Sequence, residues 1–443
     1  MLNKLNTKIK DLSPNIRNII ANMGWLVGGR VLRVIISLFI VAWMARYLGT
    51  EGFGTLNYAI ALISIFANVA EMGLTHFVVR DAIHEPDRRY EILGTAFVLR
   101  LFSGIASFLL VITTIFWLRP NDPSVRAIVI IMSSSLLFQN FSAIDAWFSS
   151  QVKSKHTVVA SNVSFILMTL VRVVLLQTNA PLIAFAFTVL AEDIIGAINL
   201  VIAYQKTGQK IQNWRVNWLR ARKLLDVSWP LIFSNLSVMI YLYVDQIMLG
   251  QLATAKAVGI YAVAVKISEN WGFLVLTITR SVTPHIIEAK KISEQLYYQR
   301  LQNICNLSAA IFYVIAITLT FCSQPLIVLL FGPEYASAGI VLSIHIWSSI
   351  WMFFGNIKQI WIATEELAGF ALTASFMGAI MNIGLNFWLI PIYQEVGAAI
   401  ATVISYTFTD YVMCFIYQPA RKFGWVMTKA LALNIFAHKS STS

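Results

Sequence analysis

Residues 19–47 read IIANMGWLVGGRVLRVIISLFIVAWMARY, an apolar run interrupted near its middle by Arg30 and Arg33. A helix needs about 20 mostly apolar residues to cross the hydrocarbon of a membrane. The run is also much longer than the apolar core of a signal peptide, which has about 7–15 residues. It therefore predicts a membrane-spanning helix that is retained in the protein.

The composition of the whole chain also favours a membrane location. Of its 443 residues, 58% are hydrophobic and only 12% are charged, whereas soluble domains carry about 25% charged residues. This excludes a soluble enzyme, a secreted disulfide scaffold and a disordered chain. The net charge of +12 does not indicate a nucleic-acid partner, because membrane proteins collect Lys and Arg on their cytoplasmic loops.

Further apolar runs continue along the chain, and they are too long for strands, so they predict helices. Twelve membrane spans are predicted: 19–47, 55–78, 93–118, 126–150, 158–177, 181–204, 227–251, 259–285, 304–322, 337–362, 368–391 and 396–418. Basic residues fall mainly on alternate loops and on both terminal segments. The other loops carry only Arg46, Arg119, Arg126 and Lys256. This asymmetry predicts that both termini are cytoplasmic.

The sixth loop divides the chain into two halves. We predict an N-terminal six-helix bundle at 1–204, a cytoplasmic basic linker at 205–226, a C-terminal six-helix bundle at 227–418 and a cytoplasmic tail at 419–443. The linker alternates tryptophan with arginine, which is typical both of an amphipathic helix on anionic lipid and of a solvated connector.

The two halves share a spaced pattern of small and apolar residues. Leu48-Gly49, Gly54 and Tyr58-Ala59 recur as Leu249-Gly250, Gly259 and Tyr261-Ala262, at an offset of about 205. With six spans in each half, this indicates a parallel repeat about an axis along the membrane normal. Repeats of this kind build transporters that work by alternating access.

Four longer motifs resemble one known family. They are LGTEGFG at 48–54, VDQIMLG at 244–250, PLIVLLFG at 325–332, and MNIGLNFWLIP at 381–391 followed by GAAIAT at 397–402. In order and spacing they resemble polysaccharide transporters of the multidrug/oligosaccharidyl-lipid/polysaccharide (MOP) exporter superfamily. The last motif is similar to that of Wzx-type O-antigen flippases. The resemblance implies an all-α integral membrane protein with about twelve transmembrane helices, in two six-helix bundles around a central cavity.

The same resemblance implies a function in polysaccharide and lipopolysaccharide biosynthesis. The implied activity is flipping of an undecaprenyl-diphosphate-linked oligosaccharide, such as an O-antigen unit, from the cytoplasmic to the periplasmic leaflet of a bacterial inner membrane. The resemblance also implies that the protein is not an enzyme and has no cofactor or metal. The expected partners are this substrate and membrane lipids, with a polysaccharide polymerase and a chain-length regulator as further candidates.

Other functions remain open on the residues alone. One is an ion-coupled exporter of drugs or small molecules, of the MATE type, and another is a flippase for a different lipid-linked glycan. A membrane glycosyltransferase is disfavoured, because the longest predicted periplasmic loop has only about ten residues. The chain contains no G-x-x-x-x-G-K-[ST] motif for ATP phosphates, so transport would draw on an ion gradient or on the substrate's own gradient.

Three cations lie deep enough in predicted spans to bind a diphosphate. Arg30 and Arg33 lie at mid-span on one helix face, and Lys266 lies about seven residues inside its span. The alternative is a structural ion pair, of the arginines with Glu192 or Asp193, or of Lys266 with Glu269. The element around Arg30 also resembles a first-helix arginine motif of lipid II flippases.

Other charged residues are secondary candidates. Four basic residues lie near span ends, where their long side chains are expected to reach the lipid headgroups: Arg100, Arg172, Arg280 and Lys358. The three arginines among them are further candidates for substrate binding. The embedded acids are candidates for ion coupling or ion pairing: Asp245, Glu192, Asp193, Glu269 and Asp410. Asn382 and Asn386 are expected to bond a neighbouring helix, and His345 to be a satisfied core residue.

Overall fold

The computed structural model describes the backbone of residues 14–432 and the side chains of residues 33–432, other than those at 230, 231, 234, 273–278, 280 and 281. Two candidate ligands, Arg30 and Arg280, lie outside the described side chains. Across the described backbone the regular elements are all helical and there is no β-strand. The predicted all-α fold is confirmed.

Eight helical segments in the described part of the chain are long and apolar enough to cross a membrane. They are Arg33–His84, Pro86–Leu118, Pro123–Ser150, Ser154–Gln177, Leu182–Lys206, Glu294–Phe331, Ala338–Thr364 and Ala368–Ile416. Large apolar side chains on these helices stay exposed, including Phe39 at 66%, Trp117 at 80% and Phe321 at 81%. Such exposure is costly in water but natural against lipid. The chain is a multi-pass membrane protein.

The chain folds into two compact units. The first comprises the described residues of Met1–Tyr47 together with Leu62–Leu236. Its helices are most of α1 (Pro14–Glu71), then α2 (Thr75–His84), α3 (Arg89–Leu118), α4 (Pro123–Ser133), α5 (Ser142–Ser150), α6 (Ser154–Gln177), α7 (Leu182–Lys206) and the start of α8 (Trp218–Leu252). A 3₁₀ segment, Ser134–Phe141, connects α4 to α5.

The second unit comprises Leu48–Ala61 and the described residues of Ser237–Ser443. Beyond the end of α8, its helices are α9 (Ala255–Glu269), α10 (Gly272–Ile292), α11 (Glu294–Phe331), α12 (Ala338–His345), α13 (Ser349–Thr364), α14 (Ala368–Thr407), α15 (Met413–Ile416) and α16 (Arg421–Leu431). The boundaries predicted at 204, 226 and 418 stay predictions.

Two long helices are each broken at a single non-helical residue. Helix α1 breaks at Gly49, with φ 66° and ψ 177°, and α14 breaks at Gln394, with φ 48° and ψ −126°. Glycine adopts positive φ without steric cost. Before Gln394, Pro391 removes a backbone donor and weakens the helix. Each break lies between two predicted spans, so each long helix is a pair of spans joined by a tight turn.

Two glycines of the second unit bring α1 and α9 into backbone contact. A Cβ atom added at Gly54 would lie 1.8 Å from the carbonyl oxygen of Ala255, and one at Gly259 would lie 2.2 Å from that of Thr50. No side chain fits at either distance. Small residues of this kind let membrane helices approach closely.

Candidate functional site

A shared carboxylate joins two arginines inside the first unit. Glu192 on α7 binds the guanidinium of Arg33 at 2.6 Å through one oxygen and that of Arg172 at 2.8 Å through the other. Arg172 also donates from Nε to Thr188 at 3.0 Å. We call Arg33, Glu192 and Arg172 the arginine cluster. Arg172 is its inner member, because only 13% of the Arg172 side chain is exposed.

Arg33 is the outer half of this cluster. Its side chain is 43% exposed, and its guanidinium carbon lies 4.7 Å from the centre of the Phe165 ring. A guanidinium has five donors, and among the described side chains Arg33 donates only to Glu192. The cluster therefore presents an accessible cation whose counter-charge is already shared with Arg172.

A polar pocket of about 240 Å³ opens beside this cluster, within the first unit. The 3₁₀ segment, α6 and α7 line it, with Arg33 of α1 and Ser142 of α5 at its edge. Its polar lining includes Gln139, Thr157, Ser161, Ser164, Glu192 and Asp193. Asp193 is exposed and forms no ion pair with any residue whose side chain is described. We call this cavity the α6–α7 pocket.

Arg100 contacts neither lipid headgroups nor this pocket. It is 1% exposed and donates to Ser142 at 2.7 Å and to Thr75 at 2.8 Å. The snorkelling expected for it is wrong, because polar groups of two neighbouring helices reach its guanidinium inside the unit. Its substrate role stays an untested prediction.

Lys266 and Glu269 are both exposed, one turn apart on α9. They form no ion pair with each other, nor with another described side chain. The structural pair considered for Lys266 is therefore not formed. Lys266 presents an accessible cation within a largely buried helix of the second unit.

Asp245 forms a second polar centre, within the second unit. It is 2% exposed and accepts hydrogen bonds from Tyr261 at 2.7 Å and from Asn386 and Thr402. Asn386 also donates to Asn382 at 2.9 Å. No cation pairs with the carboxylate among the described side chains. Tyr261, Asn386 and Thr402 are all neutral donors.

Lys358 and Asp410 form a buried ion pair in the second unit. Lys358 is 4% exposed and also donates to the backbone oxygen of Thr409 at 3.1 Å. The snorkelling expected for Lys358 is wrong, since its ammonium turns inward to this carboxylate. Asp410 lies in a π-helical turn, Phe408–Val412, and such turns often occur at functional sites. His345 is buried too, with Nδ1 2.7 Å from Ser268 Oγ.

Arg220 fixes the predicted linker to the first unit. It is 11% exposed and contacts Asp81, Glu85 and Glu91 at 3.4, 2.6 and 3.0 Å. Its hydrogen bond holds the pKa of Glu85 below the ordinary 4.5. The start of α8 is thus neither a free connector nor held by lipid alone.

The sequence reasoning missed several of these polar partners. Tyr261 and Thr402 lie in apolar stretches whose family motifs drew attention to glycine and asparagine instead. Thr157, Ser161 and Ser164 were also missed. Their spacing of i, i+4 and i+7 places them on one helix face, and this polar stripe in an apolar span is the signal that would have found them.

The amino-acid sequence matches a known protein family. Residues 19–290 match the family described as polysaccharide biosynthesis protein, which is more than half of the chain. A Shigella flexneri protein that carries the name O-antigen transporter is 23% identical over 432 residues, covering 90% of this chain and 100% of that protein.

The fold is similar to those of solved membrane transporters. The lipid II flippase MurJ, in an inward closed conformation, has a TM-score of 0.73 at 15% identity, covering 94% of this chain and 93% of that one. An inward-facing multidrug resistance MATE family transporter of the MOP superfamily has a TM-score of 0.69 at 13% identity, covering 91% and 96%. The fold is that of an all-α membrane transporter, and the family resemblance seen in the sequence motifs is confirmed.

Proposed function

The chain belongs to the polysaccharide biosynthesis protein family, and on that premise we propose that it is a flippase for a lipid-linked glycan. The proposed substrate is an undecaprenyl-diphosphate-linked oligosaccharide, carried from the cytoplasmic to the periplasmic leaflet of a bacterial inner membrane by alternating access. The O-antigen transporter name of the Shigella flexneri relative supports the glycan, and the MurJ-like fold is compatible with a lipid-linked cargo. The proposal assigns translocation to the chain and no covalent chemistry.

The observation that carries this proposal is the exposed cation of Arg33 inside a membrane unit. A diphosphate cannot cross hydrocarbon unless fixed charges replace its hydration. Arginine binds phosphate oxygens through two parallel hydrogen bonds. We propose that Arg33 turns from Glu192 to the diphosphate while Arg172 keeps Glu192 neutralised, so the exchange leaves no buried charge unpaired.

Lys266 is proposed as a second phosphate ligand, acting in the second unit. Its exposure and the lack of an ion partner among the described side chains support this role. An ammonium acts as a point charge rather than a fork. Arg30 is kept as a proposed ligand on its sequence position alone, and Arg100, Arg172 and Arg280 as secondary ones.

For energy coupling we propose Asp245, as the site that takes up a proton or a sodium ion. It is a buried carboxylate held by neutral donors, and two nearby amide atoms, Asn382 Nδ2 and Asn386 Oδ1, have no hydrogen-bond partner in the described structure. An added cation would give this cluster the charge balance that it lacks. Asp410, by contrast, is balanced by Lys358.

Transport in proteoliposomes tests the proposal. The purified full-length protein would be reconstituted with a fluorescent polyprenyl-diphosphate-linked hexose, and dithionite quenching would report its movement between leaflets. We expect quenching of the inner-leaflet pool to exceed that in empty liposomes. Movement no faster than in empty liposomes, with uptake of a cationic dye in the same vesicles, would instead identify a small-molecule exporter.

A further inference from the structure

We infer that the α6–α7 pocket is a subsite for one uncharged sugar ring of the carried glycan. This inference rests on the proposed function and adds the part of the substrate that the pocket recognises. All residues that line the pocket belong to the first unit.

The lining of the pocket follows from the helix period. On α6, Thr157, Ser161 and Ser164 face the same side at i, i+4 and i+7, and on α7, Asp193 and Gly196 do so at i and i+3. Between them runs the 3₁₀ segment, whose tighter winding redirects side chains within a membrane span. Three segments thus converge on one small volume.

Several hydrogen-bonding groups on the α6 and α7 side of the pocket are acceptors. The Ser161 hydroxyl donates to the backbone oxygen of Val158 at 3.2 Å. The Ser164 hydroxyl donates to the backbone oxygen of Ser161 at 3.0 Å. Their oxygen lone pairs stay free to accept. The carboxylate of Asp193 accepts as well. A ligand that donates hydrogen bonds suits these acceptors, and a sugar ring carries a hydroxyl on most of its carbons.

The pocket also has an apolar side. Phe138 and Phe141 of the 3₁₀ segment line it, and ligand sites combine apolar and aromatic walls with a few placed polar groups. A pyranose has the matching character, with hydroxyls at its rim and C–H groups on its faces. Polar and apolar surfaces are therefore both complemented.

Charge selects against a further phosphate in the pocket. When Arg33 binds the diphosphate, Arg172 stays paired with Glu192 and the carboxylate of Asp193 remains, so the described charge left around the pocket disfavours another anion. An anionic group would also meet the exposed carboxylate of Asp193. A neutral ring meets no such penalty.

The size of the pocket limits the ligand to one ring. Its volume is about 240 Å³, below the roughly 300–1,000 Å³ of pockets for drug-sized ligands. The rest of an oligosaccharide would have to lie outside it. Gly196 contributes to this volume, because a Cβ added there would lie 3.6 Å from Ser164 Oγ.

The test compares two probes in proteoliposomes of the full-length protein. One is a fluorescent polyprenyl diphosphate carrying a hexose, and the other carries the same hexose with its hydroxyls O-methylated, which removes the donors. We expect wild-type protein to flip the hexose probe about tenfold faster, as the loss of one or two hydrogen bonds predicts. The Ser161→Ala/Ser164→Ala variant and the Gly196→Leu variant should bring this ratio close to one.

Gly384→Ala is the control, since Gly384 does not line the pocket and a Cβ there meets no atom within 4 Å, and it should keep the wild-type ratio. A ratio of one in wild-type protein, or a tenfold ratio retained by Ser161→Ala/Ser164→Ala and Gly196→Leu, would overturn the sugar subsite. If wild-type protein moves neither probe faster than empty liposomes, the proposed function itself fails and the subsite falls with it.

A second measurement does not depend on transport. In a Cys322→Ala background, which removes the exposed native thiol, Ser161→Cys would be labelled with a maleimide. The hexose probe should slow labelling several-fold and the O-methylated probe should not. Equal labelling rates with both probes would overturn the inference.

Discussion

Glu192 binds Arg33 at 2.6 Å, yet 43% of the Arg33 side chain remains exposed. A structural ion pair is usually shielded from solvent, whereas this one is open on the arginine side. Because Arg172 holds the same carboxylate from its buried side, release of Arg33 leaves Glu192 paired. Arg33 can therefore exchange Glu192 for an anionic ligand without leaving that carboxylate unpaired.

We expect Arg33→Ala to lower flipping of the hexose probe at least about tenfold, since a charge-assisted hydrogen bond contributes about 1.5–3 kcal/mol. Arg33→Lys should lose less, because it keeps the charge and loses only the two-pronged geometry. Protein level in the membrane should not change. If Arg33→Ala flips the probe at the wild-type rate, or if adding Glu192→Gln restores Arg33→Ala to that rate, Arg33 is structural only.

Neutralising Asp245 should slow transport more than neutralising Asp145. Asp245→Asn keeps the shape of the side chain but removes the negative charge that a coupling cation would need. Transport of the hexose probe would be measured under a proton gradient and under a sodium gradient, at matched protein levels. Only the coupling gradient should stimulate wild-type protein, and Asp245→Asn should lose that stimulation. Equal residual rates for Asp245→Asn and Asp145→Asn would count against coupling at this site.

Lys358 and Asp410 should behave as a stabilising pair rather than as ligands. Removing one partner of a buried ion pair costs about 3–5 kcal/mol, whereas replacing both by apolar residues is often neutral. Lys358→Met should therefore lower the thermal unfolding temperature in detergent, and Lys358→Met/Asp410→Leu should recover most of the loss. A double variant as unstable as the single one would contradict this account.

Gly54→Ala and Gly259→Ala should each destabilise the protein strongly, because the new methyl group would overlap a backbone oxygen. We expect a loss of properly folded protein, measured as the monodisperse fraction after solubilisation. Gly384→Ala is the control, as a Cβ there meets no atom within 4 Å. Wild-type yields for Gly54→Ala would show that the two helices can separate without cost.

Acid should release the linker from the first unit. The pKa of Glu85 is lowered by its hydrogen bond from Arg220, so the stabilisation is present above the ordinary pKa of 4.5 and is lost as pH falls through the lowered value. Limited proteolysis between 205 and 217 should therefore accelerate below about pH 4.5. Arg220→Ala should give rapid cleavage already at neutral pH. If Arg220→Ala resists the protease as the wild-type protein does, Arg220 does not hold the linker on the first unit.

Much of the fold could be predicted from the chain because hydrophobic length alone determines which segments cross a membrane. Each of the twelve apolar runs is mainly helical, although turns at 72–74 and 270–271 interrupt the predicted spans 55–78 and 259–285. The breaks at Gly49 and Gln394 fall between predicted spans. The 3₁₀ segment at Ser134–Phe141 was not predicted, since its apolar residues fit a continuous α-helix equally well.

The candidate site was harder to predict because its contacts join distant parts of the chain. Arg33 and Glu192 are 159 residues apart, so depth in a span could nominate each of them but could not show that Arg172 shares the carboxylate. Depth also misplaced Lys358, whose burial depends on Asp410, 52 residues later. The position of a residue along a predicted span indicates its depth in the membrane. It does not indicate which side chain of another helix lies beside it.

The glycine contact between α1 and α9 has the form of an isologous interface. Thr50 faces Gly259 while Ala255 faces Gly54, and the two pairs occupy equivalent positions of the predicted internal repeat, at its offset of about 205. Such reciprocity is what two-fold symmetry produces between identical subunits.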